Sequence, residues 1–176
     1  MVEQFDVVRD IVRVFGIPVL ELKGYEADDI IGTLTKKIDG KVSKVIVTGD
    51  KDTLQLIDDD TSVFTLKRGV TDTILYTPEL VQEEFGFGPE YVVDYKGLRG
   101  DPSDNIPGVA GVGDKTAKDL IIEFGSIENI YEHLEDVPER ARRKLEDQKD
   151  DALLSKELAT IDRDVPIDFS LSDAVI

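Results

Sequence analysis

The chain has 176 residues, 40% of them hydrophobic, enough for one folded domain or a domain with a small appendage. No window approaches the roughly 18 apolar residues of a membrane span, no charged-then-apolar leader opens the sequence, and the absence of cysteine excludes disulfides and thiolate metal sites. The net charge of −17 argues against an ordinary nucleic-acid binder with a basic footprint, unless some of the acids are gathered to hold divalent cations, which reverse the local sign.

In chain order, "EQFDVVRDIVRVF" spaces Phe5, Val8, Ile11, Val12 and Phe15 for a helix over 3–15 that Gly16 ends. "PVLEL" predicts a short strand over 18–22, broken at Gly24. "YEADDIIGTLTKKI" predicts a helix from about Glu26 to Ile38, with acids in its first turn and lysines in its last, as the helix dipole prefers, and Gly40 as its stop. The apolar run Val45 to Val47 in "SKVIVTGD" has the pattern of a buried parallel strand. "KDTLQLI" predicts a short helix; "SVFTL" and "TILY" predict strands joined by a turn near Lys67 to Gly69. This alternation predicts an α/β core over 1–77 with a mostly parallel sheet flanked by helices.

From Thr77-Pro78 the pattern turns helical. Proline opens "PELVQEEFG" and "PEYVVDYKGL", and further helices are expected at about 115–124, 126–134, 138–147 and 150–160, before an extended acidic tail. The expected second domain is therefore a helical 78–176, and the sequence holds no internal repeat.

Three acid clusters carry candidate chemistry. Glu26, Asp28 and Asp29 sit in "GYEADD", where acids also suit a helix start. Asp50 and Asp52 in "VTGDKD" follow the strand, and ligands of open α/β sheets gather at the carboxyl ends of strands. If the backbone stays extended there, the two carboxylates share a side; the ordinary alternative is a turn with Asp52 as N-cap. Asp101 and Asp104 in "GDPSDN" are also common turn residues. Taken together, hard oxygen ligands at loop and helix starts suit magnesium or manganese rather than zinc. More than three carboxylates suggests two ions, the arrangement that serves phosphodiester hydrolysis. The one histidine, His133, lies in a late helix and reads as structural.

Next to the third cluster, "GVAGVGDKTA" places Gly108, Gly111, Val112 and Gly113 before a helix that starts near Asp114 or Lys115. Glycines let a backbone approach phosphate closely, and helix-start amides favour anions. Lys115, Thr116 and Lys118 fall on the helix's first turns. Such a hairpin grips a nucleic-acid backbone without reading bases; its ordinary alternative is a tight turn between packed helices.

The segments "GYEADDIIGTL", "VTGDKDTLQL", "GDPSDNIPGVAGVGDKTA" and "LLSKELATIDRDVPI" together resemble the 5′-nuclease, or flap endonuclease, family, most of all the 5′-3′ exonuclease domains of bacterial DNA polymerase I, over about residues 5–170. The resemblance implies a PIN-like core with a mostly parallel sheet, a helix–hairpin–helix DNA clamp, and cleavage of DNA 5′ ends and flaps with two Mg2+ ions, Mn2+ substituting. It assigns Asp28, Asp50, Asp52 and Asp104 to catalysis. Glu26 and Asp28 match acids near the shared metal centre, with Asp29 in support; Asp50, Asp52 and Asp104 match ligands of the second metal, with Asp101 nearby. The Gly108–Thr116 hairpin matches the element that holds duplex DNA, in some members through a K+ ion. The family's opening strand with its essential aspartate, a later aspartate and a basic arch have no match here, so the chain reads as the domain without its N-terminal third. Three expectations follow. Cleavage by the isolated chain is weak or absent. The sheet shows open edges, to be covered by the N-terminal segment, a polymerase domain or self-association. The location is cytoplasmic, with nicked, branched or flapped DNA as partner and no membrane. The alternatives are a non-catalytic DNA-binding module, a subunit of a split nuclease, or an acidic protein that binds a basic partner.

Overall fold

The apolar repeat at the start of the chain forms helix α1, Val2–Val14. The structure is a computed structural model that describes residues 2–38, 42–68 and 72–174. Two units of internal contacts emerge, Met1–Val42 with Asp162–Ile176, and Ser43–Ile161.

In the first unit, α1 leaves its apolar stripe in solvent: Phe5 is 58%, Ile11 52% and Phe15 69% exposed. The strand expected over 18–22 does not form. Leu20 and Leu22 pack instead, with Leu34, against Ile30, Val165 and Ile167. The side chains are placed as an extended segment would place them, but no neighbouring strand supplies the backbone ladder that defines a strand. Helix α2, Ala27–Lys37, starts at Glu26, which forms a reciprocal capping box with Asp29. The acidic tail is fastened along α2. Asp162 donates its N–H to the Asp29 carboxylate at 2.9 Å, Val165 donates to the Thr33 hydroxyl at 3.0 Å, and Lys37 Nζ donates to the Ile167 carbonyl at 2.7 Å. The expected stop at Gly40 lies outside the described residues.

The second unit holds a three-stranded sheet in the order β1-β2-β3, with β1 Lys44–Val47, β2 Thr61–Arg68 and β3 Asp72–Tyr76. β1 runs parallel to β2, and β3 runs antiparallel to it, so the sheet is mixed, with one pairing of each kind. The strands run to Arg68 and resume at Asp72; the rest of the expected turn, Gly69 included, lies outside the described residues. β1 is buried on one face only. Ile46 is 6% exposed, whereas Val45 and Val47 are 56% and 74% exposed. The continuous apolar run predicted burial on both faces; among the described residues β1 pairs only with β2, and nothing covers its second face. The crossover from β1 to β2 contains a 3-10 turn, Lys51–Leu56, that sinks Leu54 and Leu56 into the core.

The helical half follows the sequence pattern closely. α3, Pro78–Phe85, starts at Thr77, whose hydroxyl accepts the Leu80 N–H, and stops at Gly86 in the left-handed region. A 3-10 turn, Pro89–Tyr91, leads into α4, Val92–Arg99. Then come α5 Asp114–Phe124, α6 Ile127–Glu132, α7 Glu139–Asp147 and α8 Lys149–Ala159. α4 is the axis of this unit. Its Leu98 is fully buried, and Gly97 lets α8 approach so closely that a Cβ there would lie 3.2 Å from the Ala152 carbonyl oxygen.

Asp94 fixes that packing chemically. Its side chain is 6% exposed, and one oxygen accepts both the Ile127 N–H at 2.8 Å and Lys156 Nζ at 2.6 Å. Asp94→Ala would bury an unpaired amide and leave Lys156 with only the exposed Glu128 as partner. The expected loss is about 3 kcal/mol or more, read as a lower denaturant midpoint with an unchanged slope.

Candidate metal centre and hairpin

β1 ends at Val47, and the chain turns at once into the 3-10 segment that carries the second acid cluster. The backbone does not stay extended. Asp50, not Asp52, is the N-cap: its Oδ1 accepts the Asp52 N–H at 2.9 Å, and its own N–H donates to the Thr48 hydroxyl at 3.0 Å. Both acids nevertheless face one cleft of about 800 Å³. Two clusters far apart in sequence meet there, because α4 delivers the loop of the third cluster to the end of β1. Asp101 and Ile106 exchange two backbone hydrogen bonds of 2.9 Å, closing a loop whose tip presents Asp104. One oxygen each from Asp52, Asp101 and Asp104 lie within 4.8 Å of one another.

These acids do not sit alone. Lys96, one turn from the end of α4, reaches between Asp52 and Asp101 and donates to both, at 2.9 Å to Asp101. Its side chain is only 8% exposed. Burial would lower the Lys96 pKa, but the two carboxylates outweigh it and raise it, so the side chain is an ammonium. Burial raises the Asp52 carboxyl above its usual range, with Asp50 and Asp104 adding repulsion against the pull of Lys96. Asp101 goes the other way: hydrogen bonds from Ser103 and Lys96 overcome its burial and hold it at about 2. The donor set is all carboxylate oxygen, clustered, at the carboxyl end of a strand. It fits a divalent cation that prefers hard oxygen ligands.

Glu26, Asp28 and Asp29 occupy the start of α2 in the first unit. Glu26 is exposed, and Asp28 and Asp29 are half-buried. Asp28 Oδ1 accepts the Asp29 N–H at 3.0 Å, and the two oxygens of Asp29 accept the N–H groups of Glu26 and Asp162. Asp29 therefore organises the local backbone.

The glycine segment leaves α4 through back-to-back glycines. Gly108 sits against Gly100, its N–H donates to the Ser155 hydroxyl at 2.9 Å, and Val109 donates to the Leu98 carbonyl at 2.8 Å. The tip is braced from the other side, where Gln148 accepts the Ala110 N–H at 2.7 Å and Lys144 donates to the Gly111 carbonyl. Val112 is 3% exposed and its N–H donates to the Val109 carbonyl at 2.9 Å, so it anchors the hairpin from inside. Gly113 is the N-cap of α5 and has no side chain with which to cap the helix's first-turn amides. Lys115 is exposed there and Thr116 half-buried. Lys118 lies over the Phe85 ring at 5.3 Å, pairs with Asp114 at 3.5 Å and lines the same cleft as the acids. His133 is exposed, with Nδ1 3.0 Å from the Asn129 carbonyl, a local contact at the end of α6.

Sequence reasoning missed four residues of this site. Lys96 had a legible signal: it lies on the helix that runs straight into the acid loop. Tyr95, whose hydroxyl donates to Asp114 at 2.5 Å and whose pKa is raised by burial and by that carboxylate, had none. Ser155 and Gln148 reach the hairpin from a helix and a helix junction 47 and 38 residues away, which no local pattern reports.

Among the described residues no helix is long and apolar enough to cross a membrane. The "5′-3′ exonuclease, N-terminal resolvase-like domain" model matches residues 1–86, and the "5′-3′ exonuclease, C-terminal SAM fold" model matches residues 87–176. DNA polymerase I of Bacillus subtilis (strain 168) is 50% identical over 173 residues, and that of Bacillus caldotenax 46% identical over 173 residues. Each alignment covers 97% of this chain, which spans 20% of the length of these relatives. A T5 5′-exonuclease structure with bound divalent metal ions (zinc) superposes with TM-score 0.77 at 24% identity, covering 90% of this chain and 59% of that one. The catalytic core of Rad2 in complex with a DNA substrate gives TM-score 0.62 at 20% identity, covering 93% of this chain and 58% of that one, so both likenesses show a shared fold. With both halves of the chain matched in order, this protein belongs to the 5′-3′ exonuclease family.

Proposed function

We propose that this chain carries a metal-dependent 5′-3′ exonuclease and flap endonuclease site for DNA in replication and repair, with the core over 1–77 and the DNA-gripping helices over 78–176. The observation that carries this reading is the meeting of Asp52, Asp101 and Asp104 oxygens within 4.8 Å, in a cleft that Lys118 of the hairpin helix also lines. Asp50, Asp52, Asp101 and Asp104 hold Mg2+, with Mn2+ substituting. Glu26 and Asp28 are the metal-binding acids of the first unit, and Asp29 supports them from its capping position. Bound there, the ions supply an activated water and neutralise the leaving oxygen of a phosphodiester.

Gly108, Gly111, Val112, Gly113, Lys115, Thr116 and Lys118 hold the duplex beside a 5′ flap, nick or branch through its backbone, with K+ at the hairpin. A backbone grip needs no base contacts, which suits recognition of DNA shape over sequence. The working location is cytoplasmic, and a polymerase domain, the N-terminal remainder of the nuclease domain or a second copy is the protein partner.

The test is cleavage of an end-labelled 5′-flap DNA with Mg2+ or Mn2+, beside Asp50→Ala. Metal-dependent cleavage, even if slow, that Asp50→Ala abolishes supports the reading. Cleavage that persists in EDTA or in Asp50→Ala overturns it. Flap binding without any cleavage, including after addition of the family's N-terminal segment in trans, turns the protein into a binding module.

A further inference from the structure

We propose that Lys96 is the built-in counter-cation of the acid cluster and limits how tightly that cluster binds divalent cations, an inference that rests on the metal reading above. An ammonium has three donors. Lys96 spends two of them on Asp52 and Asp101, and with 8% of its side chain exposed, water is a poor substitute for either. The three acids would repel one another strongly if the cluster held no positive charge. Lys96 supplies that charge from inside the fold, so the acids stay together in the metal-free protein.

The same placement has a cost for binding. The oxygens that Lys96 holds belong to two of the three carboxylates that come within reach of one another. A divalent cation seated among them must share or take over the Asp52 and Asp101 contacts, and it meets a like charge beside it. Lys96 and Arg99 both lie in the last turn of α4, where a cation suits the helix dipole, but Arg99 is exposed whereas Lys96 turns inward onto the acids. The chain thus trades ion affinity for a stable metal-free site, and loading becomes sensitive to the free-ion concentration.

The experiment compares native protein, Lys96→Met and Lys96→Arg by Mn2+ binding, read as loss of the free Mn2+ paramagnetic signal with Mg2+ as competitor, and by melting in EDTA and in Mg2+. Lys96→Met keeps the length of the stem and removes the charge. It should bind Mn2+ about tenfold more tightly, melt lower than native in EDTA, and gain more from Mg2+. Lys96→Arg, which keeps the charge, should bind Mn2+ as native does. Equal or weaker binding by Lys96→Met, with native binding intact, overturns the inference and leaves the metal reading standing. No Mn2+ binding by native protein overturns both. If Lys96→Met does not fold in EDTA, the Lys96 13Cε resonance of native protein decides: it should move on Mg2+ addition, and a stationary signal overturns the inference.

Discussion

Asp104→Ala should lower metal-dependent incision of a 5′-flap DNA at least about a hundredfold, equivalent to about 2.7 kcal/mol of transition-state stabilisation, with no change in melting temperature. The two halves of that expectation come from different facts. Asp104 is one of three carboxylates whose oxygens converge, so its removal strips one of the proposed ligands from the cluster. It is also exposed, and its part in the loop is a backbone one: its N–H donates to the Asp101 carbonyl at 3.3 Å, which alanine keeps. Asp52→Ala would be a less clean variant, because Asp52 is 18% exposed and pairs with buried Lys96, so activity and stability would fall together. The measurement is an initial rate on labelled flap DNA beside a thermal melt of the same preparation. A second readout comes from the rise in melting temperature on adding Mg2+, which Asp104→Ala should reduce. Unchanged incision and an unchanged Mg2+ effect would remove Asp104 from the site.

How much of this could be read from residues alone depended on the range of the interaction. The helices were legible because their causes are local: apolar spacing in α5 and α7, proline at the start of α3, glycine at its end. The strand expected at 18–22 failed for a non-local reason. Leu20 and Leu22 find a core, yet the segment finds no ladder partner, and a partner is a property of the rest of the fold. β1 misled in the same way. Its Val45–Ile46–Val47 run looked buried on both faces, but Val47 is 74% exposed. The acid clusters at Asp50–Asp52 and Asp101–Asp104 were visible as motifs, and their positions at the ends of β1 and α4 explain why they meet. The charge that holds them was legible only as a position: "DYKGLRGD" puts Lys96 on the helix that leads into the acid loop, but reads as an ordinary helix end until α4 is seen to turn Lys96 inward. The first cluster is organised locally: Glu26 and Asp29 cap α2 reciprocally, and the Asp29 N–H donates to Asp28 Oδ1 at 3.0 Å.

The second large effect belongs to the hairpin. Gly108→Ala should cost about 3 kcal/mol, seen as a large fall in the denaturant midpoint, and DNA binding should go with it. The residue has φ +63°, which an L side chain adopts at a penalty, and its Cβ would lie 2.2 Å from the Gly100 nitrogen and 2.6 Å from the Arg99 carbonyl carbon. These are backbone atoms at the end of α4, so no side chain can rotate away to make room. Relief would have to move the segment that ties the hairpin to α4 and α8 through the Val109–Leu98 and Gly108–Ser155 hydrogen bonds, and it would also disturb the loop carrying Asp101 and Asp104. Gly113→Ala separates fold from grip. Gly113 has φ −94°, and a Cβ there meets nothing within 4 Å, so the protein should fold and melt near native. The new methyl group would stand at the uncapped start of α5, where a phosphate must come close to the first-turn amides. The expected pattern is native stability with DNA affinity reduced about tenfold, measured by fluorescence anisotropy of a labelled flap duplex in Ca2+. If Gly113→Ala binds DNA as native protein does, the hairpin is a packing turn between α4 and α5, and the phosphate grip lies elsewhere on the molecule.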